Sequence, residues 1–148
     1  MIQRIQTIFL LLAAGLLGAL WAFPFSTVSA SADLAEAGIF TDQIFNIQDH
    51  IALLVLFMLA AGLALIGIFL FKKRPAQMKL VLLSNLVNLG GIGFAFFLLG
   101  QVGAFEQSGM DIKAGLVFPF LATVFLGLAH RFIKKDEKIV KESYSRLR

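Results

Sequence analysis

Two apolar runs, Ile51 to Phe71 and Met78 to Leu99, are separated only by the six residues Lys72-Lys73-Arg74-Pro75-Ala76-Gln77. Each run is about the length that crosses roughly 30 Å of hydrocarbon at about 1.5 Å per residue, and so short a join can connect only antiparallel neighbours. The pattern predicts a transmembrane hairpin. Pro75 lacks an N–H and disfavours the helical region for Arg74, which marks the junction as a helix boundary. Lys and Arg accumulate in cytoplasmic loops, so Lys72, Lys73 and Arg74 place the tip of the hairpin in the cytoplasm.

Charge placement extends this to the rest of the chain. At 59% hydrophobic and 15% charged residues the sequence is too apolar for a soluble domain. Of 13 Lys and Arg, all but Lys113 flank one membrane face, while six of the nine acids fall in the two loops assigned to the other. The net charge of +4 is therefore topology, and no nucleic-acid patch is expected. The absence of cysteine rules out disulfides, thiolate metal sites and cysteine nucleophiles.

The expected fold is an all-α integral membrane four-helix bundle with both termini in the cytoplasm. Spans are expected at about 5–23, 51–71, 78–99 and 114–133, with outer loops 24–50 and 100–113, the cytoplasmic turn 72–77 and a basic tail 134–148. The small residues after Pro24, Val28-Ser29-Ala30 and Ala30-Ser31-Ala32, resemble signal-peptidase sites. The apolar run before them exceeds the usual h-region and follows a single cation, so the first span is read as retained. In the first outer loop, Ser26 to Ala32 reads as a small, flexible stretch. Gly38-Ile39-Phe40-Thr41 and Ile44-Phe45-Asn46-Ile47 carry bulky apolar residues that fit a short strand pair or a cap over the bundle. Asn46 and Asp49 mark a helix start.

The third span is the most polar. Ser84, Asn85 and Asn88 share a helix face, and two readings fit them: interhelical hydrogen bonds, or the lining of a substrate or ion path. No acidic or basic residue accompanies them at that depth, which weakens the case for a proton relay. Small residues at four-residue spacing, Ala14 and Gly18, Ala60 and Ala64, Gly91 and Ala95, and Thr123 and Gly127, predict close helix packing. His50 and His130 fall at opposite ends of the bundle without the partners a zinc site requires, so no metal and no cofactor is expected. No phosphate loop, nucleophile elbow or intramembrane carboxylate pair occurs, and no catalytic residue is assigned.

The tail from Arg131 to Arg148 reads as a helix continuing the fourth span. Ile133, Val140, Tyr144 and Leu147 form an apolar stripe, and Glu137 with Lys141 makes an i,i+4 pair. This stripe and the turn Lys72, Lys73 and Arg74 are the expected contacts for a membrane or cytoplasmic protein partner or anionic lipid.

The opening Met1-Ile2-Gln3-Arg4-Ile5-Gln6-Thr7 is one of three stretches through which the chain resembles the DUF4293 family of Bacteroidota membrane proteins. The others are the turn Ile68 to Arg74 with Gln77-Met78-Lys79-Leu80 and Asn85, and the ending Ile133-Lys134-Lys135-Asp136-Glu137 through Arg146-Leu147-Arg148. The resemblance implies a four-span inner-membrane protein and carries over no catalytic residue. Ser145 departs from the acid expected before the closing Arg-Leu-Arg. The residues thus favour a non-enzymatic accessory or scaffold subunit of the bacterial inner membrane. The alternatives are a small transporter or channel subunit lined by Asn85 and Asn88, working as a homo-oligomer, or an intramembrane enzyme built around Ser84 and Asn88.

Overall fold

The computed structural model describes residues 3–28, 42–104 and 110–146. In these residues lie, in chain order, α1 (Gln3–Ala19), β1 (Ser26–Val28), β2 (Ile44–Phe45), α2 (Ile51–Phe69), α3 (Arg74–Gln101), β3 (Met110–Ile112) and α4 (Ala114–Arg146).

One spacing runs through all four helices. Buried positions recur at intervals of four and three residues: Gln6, Leu10, Ala13, Leu17 and Leu20 from α1 onward, and Leu53, Phe57, Ala60, Ala64 and Gly67 in α2. In α3 they are Gln77, Val81, Ser84, Asn88, Gly91, Ala95 and Leu98, and in α4 Ala122, Leu126, Ala129, Ile133 and Asp136. A strict four-three repeat makes one narrow stripe per helix, the geometry of helices crossing near +20° in a bundle. Each helix packs on its sequence neighbours, and α1 closes the ring against α4. Neighbours run antiparallel: Phe9 stacks on Phe132 at one end of the α1–α4 seam, and Phe23 meets Phe118 edge-on at the other.

The outward faces are apolar. Ile8, Leu11, Val55, Leu59, Leu82, Leu86, Val117, Leu121 and Val124 are all exposed. A soluble bundle would carry polar groups there, so lipid is the solvent that this surface fits. Ile51–Phe69, Arg74–Gln101 and Ala114–Val140 are long and apolar enough to cross a membrane, whereas the apolar part of α1, Ile5–Ala19, is shorter. Turns continue it, with Trp21 N–H donating to the Gly18 carbonyl and Phe23 N–H to that of Ala19. Trp21 and Phe23 are exposed at this end, where amphipathic rings sit well at a membrane–water boundary.

The strands cap the end of the bundle opposite the α2–α3 turn. They form an antiparallel sheet in the order β2-β1-β3, with Ser26 opposite Phe45 and Ile112, and Thr27 opposite Ile44 and Asp111. This corrects the reading of Ser26 to Ala32 as flexible over its first three residues. Ser26–Val28 is the central strand, bonded on both edges, and turns Ser26 and Val28 into the protein. Ile44–Phe45 forms a strand as expected, Gly38 to Thr41 lies outside the described residues, and the third strand comes from the second loop. Phe25, beside this sheet, packs on Phe45 and on Phe57 of α2, which ties the cap to the bundle.

The helix boundaries also shift. α3 begins at Arg74 with Pro75 in its first turn, so the connection between α2 and α3 shrinks to Leu70–Lys73. Pro75 starts a helix because its missing N–H is one that no first-turn residue would use. The cap of α2 is His50, whose Nδ1 accepts from the Ala52 N–H at 3.2 Å; Asn46 lies before it in the loop and donates its own N–H to the carboxylate of Asp49. Partial desolvation holds the Asp49 carboxyl above the usual carboxylate range; the Asn46 N–H opposes this and the charge on Asp42 adds to it. A raised folded-state pKa gives stability that is present in acid and lost as pH rises through that pKa. Asp49→Asn should therefore match the unmodified protein in thermal midpoint at acid pH and exceed it at neutral pH. A midpoint lower at every pH would show that the charge itself is needed.

Candidate functional site

Every polar residue on the four-three stripes joins two helices. Gln77, 2% exposed, donates from Nε2 to the Gly67 carbonyl at 2.9 Å, and Ser84 donates from Oγ to the Ala60 carbonyl at 2.8 Å. Both bonds tie α3 to α2. Asn88 turns to α4 instead: Nδ2 donates to the Pro119 carbonyl and to Thr123 Oγ, both at 2.9 Å, and Thr123 donates to the same carbonyl at 3.0 Å. Pro119 sits inside α4, where its ring removes one helical hydrogen bond. Asn88 and Thr123 thus brace α4 at its proline, and Ser84 and Asn88, three residues apart, serve different neighbours.

Asn85 is different. It is only half-buried, and its Oδ1 lies out of solvent without a hydrogen-bond partner. Asn88 Oδ1 and His130 Nδ1 are likewise buried and unpartnered. Leu at position 88 would remove both Asn88 bonds and should lower stability by about 1–2 kcal/mol, whereas Leu at position 85 removes no bond and should be neutral or stabilising. Thermal unfolding of the two single variants in detergent separates these outcomes. Equal losses would contradict the assignment.

At the end that carries the α2–α3 turn, Gln6 of α1 donates from Nε2 to Asp136 Oδ2 of α4 at 2.8 Å. The residues are 4% and 7% exposed. A carboxylate in a Lys-Lys-Asp-Glu-Lys run looks like part of a solvated face, yet 129, 133 and 136 continue the four-three stripe. The repeat is the signal that singles it out.

The predicted contact residues divide. Lys72 and Lys73 are exposed in the turn, with Lys72 Nζ 5.9 Å from the centre of the Phe71 ring, and Arg74 is half-buried at the start of α3. Ile133 is fully buried within the bundle, which corrects its place on a free apolar stripe; the stripe it begins is the inward face of α4. Val140 continues that face and is half-buried, Tyr144 falls in the last turns of the same helix, and Leu147 lies outside the described residues. An ion pair on the tail joins Lys138 to Glu142 at 3.8 Å.

Among the described residues no cluster of three His, Asp or Glu side chains is placed to hold a metal ion. A model of the family described as a domain of unknown function, DUF4293, matches residues 2–147. No curated protein and no solved structure matches the chain.

Proposed function

The chain belongs to the DUF4293 family over residues 2–147, and from that premise we propose that it is a non-enzymatic accessory or scaffold subunit of the bacterial inner membrane. In this reading the α2–α3 turn and the end of α4 face the cytoplasm and contact a protein partner. The observation that carries it is how the polar groups are used. Those on the stripes are engaged between helices, whereas exposed positive charge gathers at one end, in Lys72, Lys73, Arg131, Lys134, Lys135 and Lys138. α4 is about 50 Å long at about 1.5 Å per residue, well beyond the roughly 30 Å of a hydrocarbon core, so its last turns are available to a partner.

Purification in mild detergent tests this. The full chain should bring down a stoichiometric partner that is lost when residues 141–148 are removed, a truncation that spares the Gln6–Asp136 contact. A clean monomer from both forms would overturn the proposal.

A transporter or channel subunit remains the second reading, favoured by the unpartnered oxygens of Asn85 and Asn88. It predicts flux in liposomes that Asn85→Leu abolishes without loss of stability. Absence of flux in the unmodified protein removes it.

A further inference from the structure

The outward face of α4 changes character along a single line. Val117, Leu121 and Val124 are exposed and aliphatic, Leu128 follows half-buried, and Arg131, Lys135, Lys138 and Glu142 continue at the same four-three spacing, all exposed. Lys134 stands beside the basic part. The opposite face at this level is the inward one, with Ala129 and Ile133 fully buried, so the bases are directed away from the bundle. They line a depression of about 540 Å³ together with Glu137 and Glu142.

We propose that this line binds one anionic glycerophospholipid, with its acyl chain along Leu121 to Leu128 and its phosphate on Arg131, Lys134 and Lys135. The dimensions agree. Leu121 to Arg131 covers about 15 Å at about 1.5 Å per residue, half of the roughly 30 Å hydrocarbon core and therefore one leaflet. At its end the first bases stand where a headgroup would lie, and Arg offers a planar fork suited to phosphate oxygens. Lys138 is drawn toward Glu142 by their ion pair, which leaves Arg131, Lys134 and Lys135 nearest the apolar segment. A soluble polyanion would have no use for the aliphatic half of the line.

The proposal rests on membrane insertion in this orientation but not on a protein partner, and it is tested on purified protein. The full chain is placed in nanodiscs of POPC with POPG, and bound lipids are counted by native mass spectrometry after release. Arg131→Gln/Lys134→Gln/Lys135→Gln should lower POPG retention at least about ten-fold relative to the unmodified chain. Lys113→Gln, which removes an exposed charge at the opposite end of the bundle, should leave it unchanged. Matching thermal midpoints would establish that both variants fold, as expected for exposed positions. Equal POPG retention by all three proteins, or equal loss in both variants, overturns the site; so does displacement of POPG by millimolar inorganic phosphate. Failure to enter nanodiscs at all would instead refute the membrane placement, and loss of lipid with an intact pull-down would leave the partner reading standing.

Discussion

Gly115→Ala should lower stability by about 3 kcal/mol or more, an effect at the upper end of what overpacking one methyl produces. Gly115 is buried in the first turn of α4, and its N–H donates to the Pro24 carbonyl at 3.1 Å, beside a Lys113 N–H to Phe25 carbonyl bond of 2.9 Å. A Cβ there would fall well inside contact distance of the Phe23 and Pro24 carbonyl oxygens. Both are main-chain atoms that cannot swing aside, so α4 would have to separate from the segment linking α1 to β1. The better helix propensity of Ala returns only about 1 kcal/mol.

Gly91→Ala should cost less. Its Cβ would meet the ring of Phe57 at 2.9 Å, and that ring is itself held against Phe25. Gly127→Ala is the control, since nothing lies within 4 Å of the added carbon and it should be neutral or slightly stabilising. Unfolding in detergent should rank the variants 127, 91, 115 from most to least stable. A Gly115→Ala protein as stable as the parent would show that the sheet end is not packed as described.

The second large effect concerns Gln6 and Asp136. Gln6→Leu removes the donor from a buried carboxyl group and should cost about 2–3 kcal/mol, in the range for leaving such a group without its hydrogen bond. Asp136→Asn keeps an acceptor in place and should stay near the unmodified protein. The double change Gln6→Leu/Asp136→Leu should recover most of the loss, because an apolar pair of similar volume asks for no hydrogen bond. In a double-mutant cycle the two positions should be strongly coupled. Additive losses would mean that their contact contributes little.

The number of helices and the short α2–α3 connection were legible because long apolar runs admit few other structures. Asn88 and Ser84 were also legible as a polar face, and one of the two readings open to them, bonding between helices, matches what they do. Asn85 shows the limit: three residues from Asn88 and on the same side, it makes none of the bonds that Asn88 donates through Nδ2, which spacing does not specify. Gln6, Gln77 and Asp136 were missed because polar residues near helix ends resemble solvated caps, although the four-three repeat passes through each of them. The cap sheet was harder still. β1 is only three residues, and its partners come from loops far apart in the chain, so no local alternation reveals it. Gly115 carried no sequence mark beyond being glycine; only the path of Phe23 and Pro24 past α4 makes it necessary.

The most direct test of the proposed cytoplasmic placement of the basic end uses the absence of native cysteine. Single cysteines at Gln3, Asp42, Lys73, Asp111 and Glu142 would be exposed to a membrane-impermeant maleimide on spheroplasts and again after lysis. Asp42→Cys and Asp111→Cys should react on intact spheroplasts, and Gln3→Cys, Lys73→Cys and Glu142→Cys only after lysis. Labelling of Lys73→Cys and Glu142→Cys from outside, or of Gln3→Cys and Asp42→Cys from the same side, would contradict the account.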